Sequence, residues 1–272
     1  MKITDYKLAL ISGASAGIGE EFARQLHAAG LRVCLVARRG DRLARLCHEL
    51  NAQRADSTEF IECDLCDFDS SQGIIKVVEY IKLNNVDLLV NNAGRGSFGH
   101  FEEIDFESEQ QMVQLNIMAT MRLAHAVIAP MKDRRFGAII SVSSIAGIQA
   151  LPYMATYAAT KAFNLLHSLG LREELRSFNI RVLAVCPGPT ATEFGGVARV
   201  PGTVSAIHRD SVALVVRNSI KALENNRAII ISSWRSKLLA IPSLLLPRAL
   251  TTYFVGRSLG KVLQISQSRS SD

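Results

Sequence analysis

Short apolar runs alternate with longer amphipathic segments along most of the chain. The runs show no internal alternation, as is typical of parallel strands buried on both faces. They occupy residues 7–12, 32–37, 58–62, 86–90, 137–143, 180–186 and 228–231. In the segments between them, apolar residues recur with the spacing of one helix face. These segments are residues 18–29, 41–53, 69–83, 107–131, 155–176 and 212–223. Such alternation indicates right-handed βαβ crossovers and predicts an α/β fold, a doubly wound parallel seven-stranded sheet with helices on both faces.

The apolar pattern continues after the seventh strand as a C-terminal extension over about residues 234–263. It begins at Trp234 and holds an apolar run over 238–246, but Pro242 and Pro247 interrupt it. The run falls well short of the roughly 20 continuous apolar residues of a transmembrane helix. Beyond the second proline, four apolar side chains share one helical face opposite two basic ones. They are Val255, Leu259, Val262 and Leu263, opposite Arg257 and Lys261. We therefore expect a helical extension.

The formal net charge of +6 is confined to the C-terminal part of the chain. Residues 1–224 hold 24 basic and 24 acidic residues, whereas residues 225–272 hold seven basic residues against Asp272 alone. A nucleic-acid-binding chain would show a basic stripe with readable motif residues; none is present, so nucleic acid is not an expected partner. The C-terminal extension has three alternative contacts: it packs on the core beside the substrate, packs against a second subunit, or lies on an anionic membrane surface. The first two are favoured because apolar helices of soluble proteins are mostly buried, while the local charge keeps the third open.

Composition favours one globular domain with reduced thiols. The chain has 272 residues, of which 48% are hydrophobic, and residues 1–6 do not have the pattern of a secretory signal. Five scattered cysteines are typical of a cytosolic protein. Cys63 and Cys66 have the spacing of a redox or metal pair, but there is no second CxxC and no suitably spaced histidine pair. We expect a cytoplasmic protein without a metal site.

A glycine cluster lies between the first strand and the first helix. Gly13 permits a tight turn, while Gly17 and Gly19 allow close approach of a ligand and of the strand to the helix. The helix that follows directs its N-terminal amides and the positive end of its dipole toward the loop. This strand–loop–helix context predicts a site for a diphosphate.

The second strand ends at Ala37 and is followed by Arg38 and Arg39. In dinucleotide folds an acidic residue at this place binds the ribose 2′-hydroxyl, whereas arginine accommodates a 2′-phosphate. Because the acid is missing and arginine is present, the sequence favours NADP(H) over a solvated basic loop.

Tyr157 and Lys161 are four residues apart in a predicted helix, so their side chains share one face. A nearby ammonium favours the phenolate, and we expect it to lower the pKa of Tyr157 from about 10 toward neutrality. A phenol tuned in this way could exchange a proton at working pH.

Four further features accompany this pair in a fixed order. They are the glycine cluster, the Asn91-Asn92-Ala93-Gly94 segment after the fourth strand, Asn116, and Ser144 thirteen residues before Tyr157. Together the five features resemble the short-chain dehydrogenase/reductase family, over about residues 5–231. The resemblance implies a single Rossmann-type, dinucleotide-binding catalytic domain over residues 1–272, in a homo-oligomer. Residues 189–210 hold Gly195-Gly196 and Pro201-Gly202, which predicts a mobile lid over the substrate.

The resemblance also implies a reaction and residue roles. The reaction is hydride transfer between NADP(H) and a carbonyl or alcohol substrate. Tyr157 would be the general acid, Ser144 would bond the substrate oxygen, Lys161 would bond the nicotinamide ribose, and Asn116 would hold a water of the proton relay through its backbone carbonyl. The implied cofactor-binding residues are Gly13, Ser15, Gly17, Ile18, Gly19, Arg38, Arg39, Asp64 beside the adenine, Asn91, Ala93, Gly94, Tyr157, Lys161, Pro187, Gly188 and Thr190.

Two alternatives stay open at this point: a cofactor-binding regulator without turnover, and an isomerase, epimerase or dehydratase with a retained cofactor. The substrate is read only as a class. The expected pocket is mostly apolar and suggests an apolar ketone, aldehyde or secondary alcohol. Its residues are Phe98, Leu151, Tyr153, Met154 and Phe194.

Overall fold

The computed structural model describes residues 1–198 and 209–268. Its strands are β1 (Leu8–Ser12), β2 (Arg32–Ala37), β3 (Thr58–Glu62), β4 (Leu88–Asn91), β5 (Gly137–Val142), β6 (Ile180–Cys186) and β7 (Ile229–Ile231). They form one sheet in the order β3-β2-β1-β4-β5-β6-β7, and every neighbouring pair is parallel. The predicted doubly wound parallel sheet is confirmed.

Helices cover both faces of this sheet. They are α1 (Gly17–Ala28), α2 (Gly40–Gln53), α3 (Ile74–Leu83), α4 (Phe106–Val113), α5 (Thr120–Arg134), α6 (Ala155–Leu175), α7 (Phe194–Val197), α8 (Val212–Glu224), α9 (Trp234–Leu245) and α10 (Arg248–Ser268). Successive residues of a strand point to opposite faces. Thus Ala9 and Ile11 of β1 pack in the layer with α1, α2 and α8, whereas Leu8 and Leu10 pack in the layer with α3, α5 and α6.

Helix α3 begins five residues later than the predicted start at residue 69. The carboxylate of Asp67 accepts hydrogen bonds from the backbone amides of Asp69 and Ser70, at 3.1 and 2.9 Å, and from the Ser70 hydroxyl. Such local side-chain bonds compete with helical ones. The segment therefore forms a turn until Gly73, where the helix can start.

Helices α4 and α5 run on through a wide π-helical turn, Gln114–Ala119, which contains Asn116. The whole segment Phe106–Arg134 is long and apolar enough to cross a membrane by length and composition. Its inner side chains, among them Leu123 and Val127, pack against the sheet. It serves here as a core helix.

Strand order reverses between β1 and β4, because the chain extends from β1 to β3 on one side and then returns to the other. Ligands of open α/β sheets bind beyond the carboxyl ends of the strands at such a point. Ser12 ends β1 and Asn91 ends β4, so the glycine cluster and the asparagine segment meet there.

Candidate active site

The turns after β1 and β4 are joined by hydrogen bonds. The Ser12 hydroxyl accepts from the backbone amides of Asn92 and Ala93, at 3.0 and 3.1 Å, and donates to the Val90 carbonyl. The Asn92 amide nitrogen donates to the carbonyls of Ser12 and Gly13, at 3.0 and 3.2 Å. Sequence reasoning named Asn91 in this segment and missed Asn92, although the doubled asparagine was the available signal.

The glycine cluster forms a tight cradle at the start of α1. Gly13 has φ +68°, and a Cβ there would lie 2.8 Å from the Ala93 Cα atom. A Cβ on Gly19 would collide with the Gly13 carbonyl oxygen. No side chain caps the N-terminus of α1 at Ala16, so its first amides are available to an anion.

Two arginines lie at the end of β2, beside this cradle. Arg39 Nε donates to the Ser15 hydroxyl at 3.1 Å, and Arg39 Nη1 donates to Glu193 at 2.8 Å. Glu193 also accepts from Arg42 at 2.7 Å. Arg38 lies 3.7 Å from Asp64, and its side chain is 62% exposed. The predicted pair is thus in place, and Glu193 is a partner that the sequence did not indicate.

Two buried asparagines hold the segment after β4. The Asn91 amide nitrogen donates to the Thr120 carbonyl at 3.0 Å and therefore ties the strand to α5. The Asn116 amide nitrogen donates to Thr160 and to the Arg95 carbonyl, both at 2.9 Å, and its oxygen accepts from the Arg95 amide. Asn116 thus joins the π turn to α6.

Tyr157 and Lys161 lie in the first turns of α6, on one buried face. The Lys161 Nζ atom is 5.9 Å from the centroid of the Tyr157 ring and donates to the Val142 carbonyl at 2.9 Å. Ser144 follows β5, and its hydroxyl lies close enough to the Tyr157 phenol to lower the pKa of that phenol. A Cβ on Gly94 would lie 3.2 Å from Lys161 Nζ. The structure therefore brings the predicted serine, tyrosine and lysine together beside the segment after β4.

The pKa values of this pair differ from the sequence expectation. Burial raises the pKa of Tyr157 to about 12, although the nearby Ser144 hydroxyl opposes the rise. Burial also lowers the pKa of Lys161 to about 8, since a charged ammonium loses hydration there. The prediction that Lys161 lowers the pKa of Tyr157 toward neutrality is wrong in this geometry: desolvation of the phenol is the main cause of its shift, and the effect that opposes it comes from Ser144.

The turn after β6 closes the site from the other side. The Pro187 carbonyl accepts from the Ile145 amide at 3.0 Å and from the Ser144 hydroxyl at 3.4 Å. The Thr190 hydroxyl donates to the Gly188 carbonyl at 2.9 Å. Pro187 therefore lies against Ser144, and Gly188 and Thr190 follow it in the same turn. Of the predicted lid over 189–210, residues 199–208 lie outside the described part of the chain.

Apolar side chains surround the phenol. Phe194 of α7 lies over Tyr157 with ring centroids 5.2 Å apart, and Leu151 and Met154 pack in the same cluster. Tyr153 instead points to α10, because a Cβ on Gly260 would lie 2.8 Å from its hydroxyl. Phe98 pairs with Tyr153, at 6.3 Å between centroids. Three of the five predicted pocket residues thus contact the catalytic region directly.

Cys63 and Cys66, the CxxC pair, do not have the properties of reactive thiols. Burial raises the pKa of Cys63 to about 12 and that of Cys66 to about 11, which opposes thiolate formation. Within residues 1–198 and 209–268, no three histidine, cysteine, aspartate or glutamate side chains are grouped so as to hold a metal ion.

Comparisons with known proteins give relatives that match about two thirds of this chain. Nodulation protein G of Rhizobium sp. (strain N33) is 36% identical over 180 residues, which are 66% of this chain and 71% of that protein. Retinol dehydrogenase 8 of Bos taurus is 36% identical over 204 residues, which are 71% of this chain and 64% of that protein.

Solved structures of dehydrogenases are also similar to this chain. A short-chain dehydrogenase from Sphingobium yanoikuyae in complex with NADPH has a TM-score of 0.80 at 29% identity, over 88% of this chain and 93% of that one. A short chain dehydrogenase from Burkholderia cenocepacia J2315 in complex with NADP has a TM-score of 0.76 at 26% identity, over 92% and 97%. The family model described as short chain dehydrogenase matches residues 7–199. The chain belongs to the short-chain dehydrogenase/reductase family, a family of oxidoreductases.

Proposed function

We propose that the protein is an NADP(H)-dependent oxidoreductase that moves a hydride between the cofactor and a carbonyl or alcohol carbon. The observation that carries the proposal is the grouping of Ser144, Tyr157 and Lys161 at the strand ends that adjoin the glycine cradle. The Lys161 Nζ atom lies 5.9 Å from the centroid of the Tyr157 ring, and the Ser144 hydroxyl acts on the pKa of the phenol. Two neighbouring hydroxyls suit a substrate oxygen on which negative charge develops.

The residues at the cradle fit a phosphorylated dinucleotide. A diphosphate fits the crowded glycines and the uncapped start of α1. A 2′-phosphate fits the two arginines at the end of β2. NADPH, when bound, supplies the hydride. The residues that we propose to hold it are Gly13, Ser15, Gly17, Ile18, Gly19, Arg38, Arg39, Asp64, Asn91, Ala93, Gly94, Tyr157, Lys161, Pro187, Gly188 and Thr190.

In the proposed mechanism, Tyr157 gives a proton to the substrate oxygen while Ser144 donates a second hydrogen bond to it. With its pKa raised to about 12, Tyr157 keeps its proton at neutral pH, so it enters the reductive direction in the protonated form. Lys161 holds the nicotinamide ribose, and Asn116, anchored between Arg95 and Thr160, holds the relay water through its backbone carbonyl.

The substrate that fits best is an apolar carbonyl compound. Phe194, Leu151 and Met154 form the wall next to Tyr157, together with Met112. Such a wall favours ketones and aldehydes with bulky apolar substituents over charged ones. The retinol dehydrogenase among the relatives supports the same class.

The test is a panel of apolar and polar carbonyl compounds with NADPH or NADH, and of alcohols with NADP or NAD. Cofactor oxidation or reduction is followed by its near-ultraviolet absorbance. We expect turnover with an apolar carbonyl and NADPH. Retained binding of NADPH without net turnover of any compound would instead favour the regulator or the isomerase class.

We also propose a cytoplasmic homo-oligomer. Met118 in the π turn, Met121 on α5 and Leu166 on α6 are exposed apolar side chains, at 42%, 38% and 67%. Two helices with such faces suit an isologous contact between copies. Size-exclusion chromatography with light scattering tests it; a strict monomer at all concentrations would rule it out.

A further inference from the structure

Helix α9 presents an apolar stripe to solvent. Trp234, Leu238, Ile241 and Leu245 are spaced by four, three and four residues, so they lie along one side of the helix. Their exposed fractions range from 41% at Ile241 to 77% at Leu245. The opposite side, with Ser236 and Ala240, is buried. The helix therefore uses its small residues to pack and leaves its large apolar residues uncovered.

The exposed apolar surface continues into α10. After the turn at Pro247, Leu250, Tyr253 and Phe254 follow one another on the outer side of the first two helical turns. Together with the α9 stripe and Leu246 between the helices, these residues are called the C-terminal apolar face. Its members are Trp234, Leu238, Ile241, Leu245, Leu246, Leu250, Tyr253 and Phe254, each more than a third exposed. An exposed set of this size marks an interaction surface.

The two helices are fixed on the body of the protein. The Ser236 hydroxyl donates to Asp210 at 3.0 Å in a buried contact, and Ser236 packs closely on Gly188. A Cβ on Gly256 would lie 3.0 Å from the Pro152 side chain, in the loop before α6. The C-terminal apolar face therefore has a defined outward orientation, next to the loop that precedes Tyr157.

The charges around this face select its partner. Arg235 and Lys237 lie on α9 on either side of the stripe, and Arg248, Arg257 and Lys261 follow on α10, all exposed. Residues 225–271 contain no aspartate or glutamate. A second copy docked face to face would bring these cations together, since a two-fold contact pairs the same patch with itself. An anionic lipid surface offers both an apolar layer and negative charge.

We propose that the C-terminal apolar face docks in the plane of an anionic membrane surface. The large apolar side chains enter the boundary between headgroups and acyl chains, while the flanking cations stay at the headgroups. This goes beyond the proposed oxidoreductase function and does not depend on it. It also places the loop at Pro152 beside the lipid, where apolar compounds concentrate.

The single tryptophan of the chain reports directly on this contact, because Trp234 belongs to the face and is 65% exposed. The experiment mixes the intact protein with vesicles of equal parts phosphatidylglycerol and phosphatidylcholine, or of phosphatidylcholine alone. We expect a blue shift of the emission and quenching by brominated acyl chains with the anionic vesicles. Neutral vesicles should give at least about tenfold weaker binding, and added salt should weaken the anionic binding.

Two matched variants separate charge at the face from charge elsewhere. Arg235→Glu/Lys237→Glu should weaken binding to the anionic vesicles by at least about tenfold. Arg45→Glu/Arg176→Glu changes the net charge equally at exposed sites on α2 and just beyond α6 and should bind nearly as the parent protein does. Leu238→Ser should bind more weakly, whereas Leu83→Ser, at an 84% exposed position on α3, should not.

Three results would overturn the proposal. One is an unchanged Trp234 emission with anionic vesicles; another is equal loss of binding in both charge variants. The third is a blue shift that depends on protein concentration without lipid, which would assign the face to a second copy. NADPH turnover in solution is measured in parallel, so failure of lipid binding and failure of the oxidoreductase function are distinguished.

Discussion

The Arg39 guanidinium lies 2.8 Å from the Glu193 carboxylate while it also donates to Ser15 in the glycine cluster. Arg42 approaches the same carboxylate, and hydrogen bonds from Arg39 and Arg42 lower the pKa of Glu193 below its usual value. Glu193 is therefore ionised at neutral pH, and under the proposed binding of NADP(H) it would compete with the 2′-phosphate for Arg39.

Glu193→Gln should tighten NADP(H) binding by about two- to fivefold, the range expected from an exposed ion pair, and leave NAD(H) binding unchanged. Fluorescence titration with both cofactors measures this. Glu173→Gln, which breaks an exposed pair with Arg176 on another part of the surface, serves as the control. An equal gain for NAD(H) would show that Glu193 does not act through the 2′-phosphate.

Arg38→Ala should reduce the preference for NADP(H) over NAD(H) by on the order of ten- to hundredfold, because a charge-assisted bond to the phosphate is lost. Arg39→Ala should have a smaller effect, since Arg39 is already bonded to Ser15 and Glu193. Arg45→Ala removes the same charge from an exposed position on α2 and is the control. The assignment fails if the parent protein binds NAD(H) as tightly as NADP(H).

Tyr157→Phe should lower kcat by about 10²–10⁴-fold, the usual share of a general acid, with little change in cofactor affinity. Phenylalanine keeps the ring contact with Phe194 and removes the hydroxyl. Single-turnover rates, in which chemistry is observed directly, and cofactor titration separate the two effects. Retention of most of the parental rate would exclude the general-acid role.

Lys161 should make stability rise with pH in an alkaline window. Its pKa falls from an ordinary 10.5 to about 8 in the folded protein, so between these values the unfolded chain binds a proton that the folded chain does not. Stability then grows with pH, by up to about 1 kcal/mol per pH unit. We expect Lys161→Met to lose this slope in urea titrations at pH values across the window. The same slope in both proteins would contradict the lowered pKa.

Gly19→Ala should destabilise the fold by about 1–3 kcal/mol, because its Cβ would collide with the Gly13 carbonyl oxygen. Gly170→Ala on α6 is the matched control: no atom lies within 4 Å of its Cβ position, and alanine favours helix there by about 0.5–1 kcal/mol. Thermal unfolding of the two variants should therefore shift in opposite directions. A harmless Gly19→Ala would mean that the cradle can widen.

The doubly wound parallel sheet was predictable because short uniform apolar runs, such as 32–37, indicate strands that are covered on both faces. The location of the site was also predictable, because the glycine cluster and the asparagine segment directly follow predicted strands, and ligands of such sheets bind at the carboxyl ends of the strands. The Asp67 turn was not predictable, because the same residues also fit the helical pattern of 69–83, and a local carboxylate bond decides between them.

The pKa values of the site residues were the property least predictable from the sequence. The spacing of Tyr157 and Lys161 gives their shared face, but the pKa of each depends on how completely the fold removes water. Tyr157 and Lys161 are only 8% and 4% exposed. This burial raises the pKa of the Tyr157 phenol, whereas the sequence predicted that it would fall. Glu193 was missed for a related reason: its partners, Arg39 and Arg42, are more than 150 residues away along the chain.

The π turn at Asn116 has a consequence for how one helix can serve two purposes. Polar and apolar side chains on the inner side of Phe106–Arg134 recur at Glu109, Met112, Asn116, Thr120, Leu123, Val127 and Met131. Their spacings of three or four residues are those of one side of a regular α-helix, which would keep all of them on the same side. The π turn at Gln114–Ala119 holds more residues than an α-helical turn, so it rotates the part of the helix after it relative to the part before it. Met112 can therefore face Tyr157 while Leu123 faces the sheet core. Asn116 lies in this turn and also donates the hydrogen bond to Thr160 that joins the helix to α6.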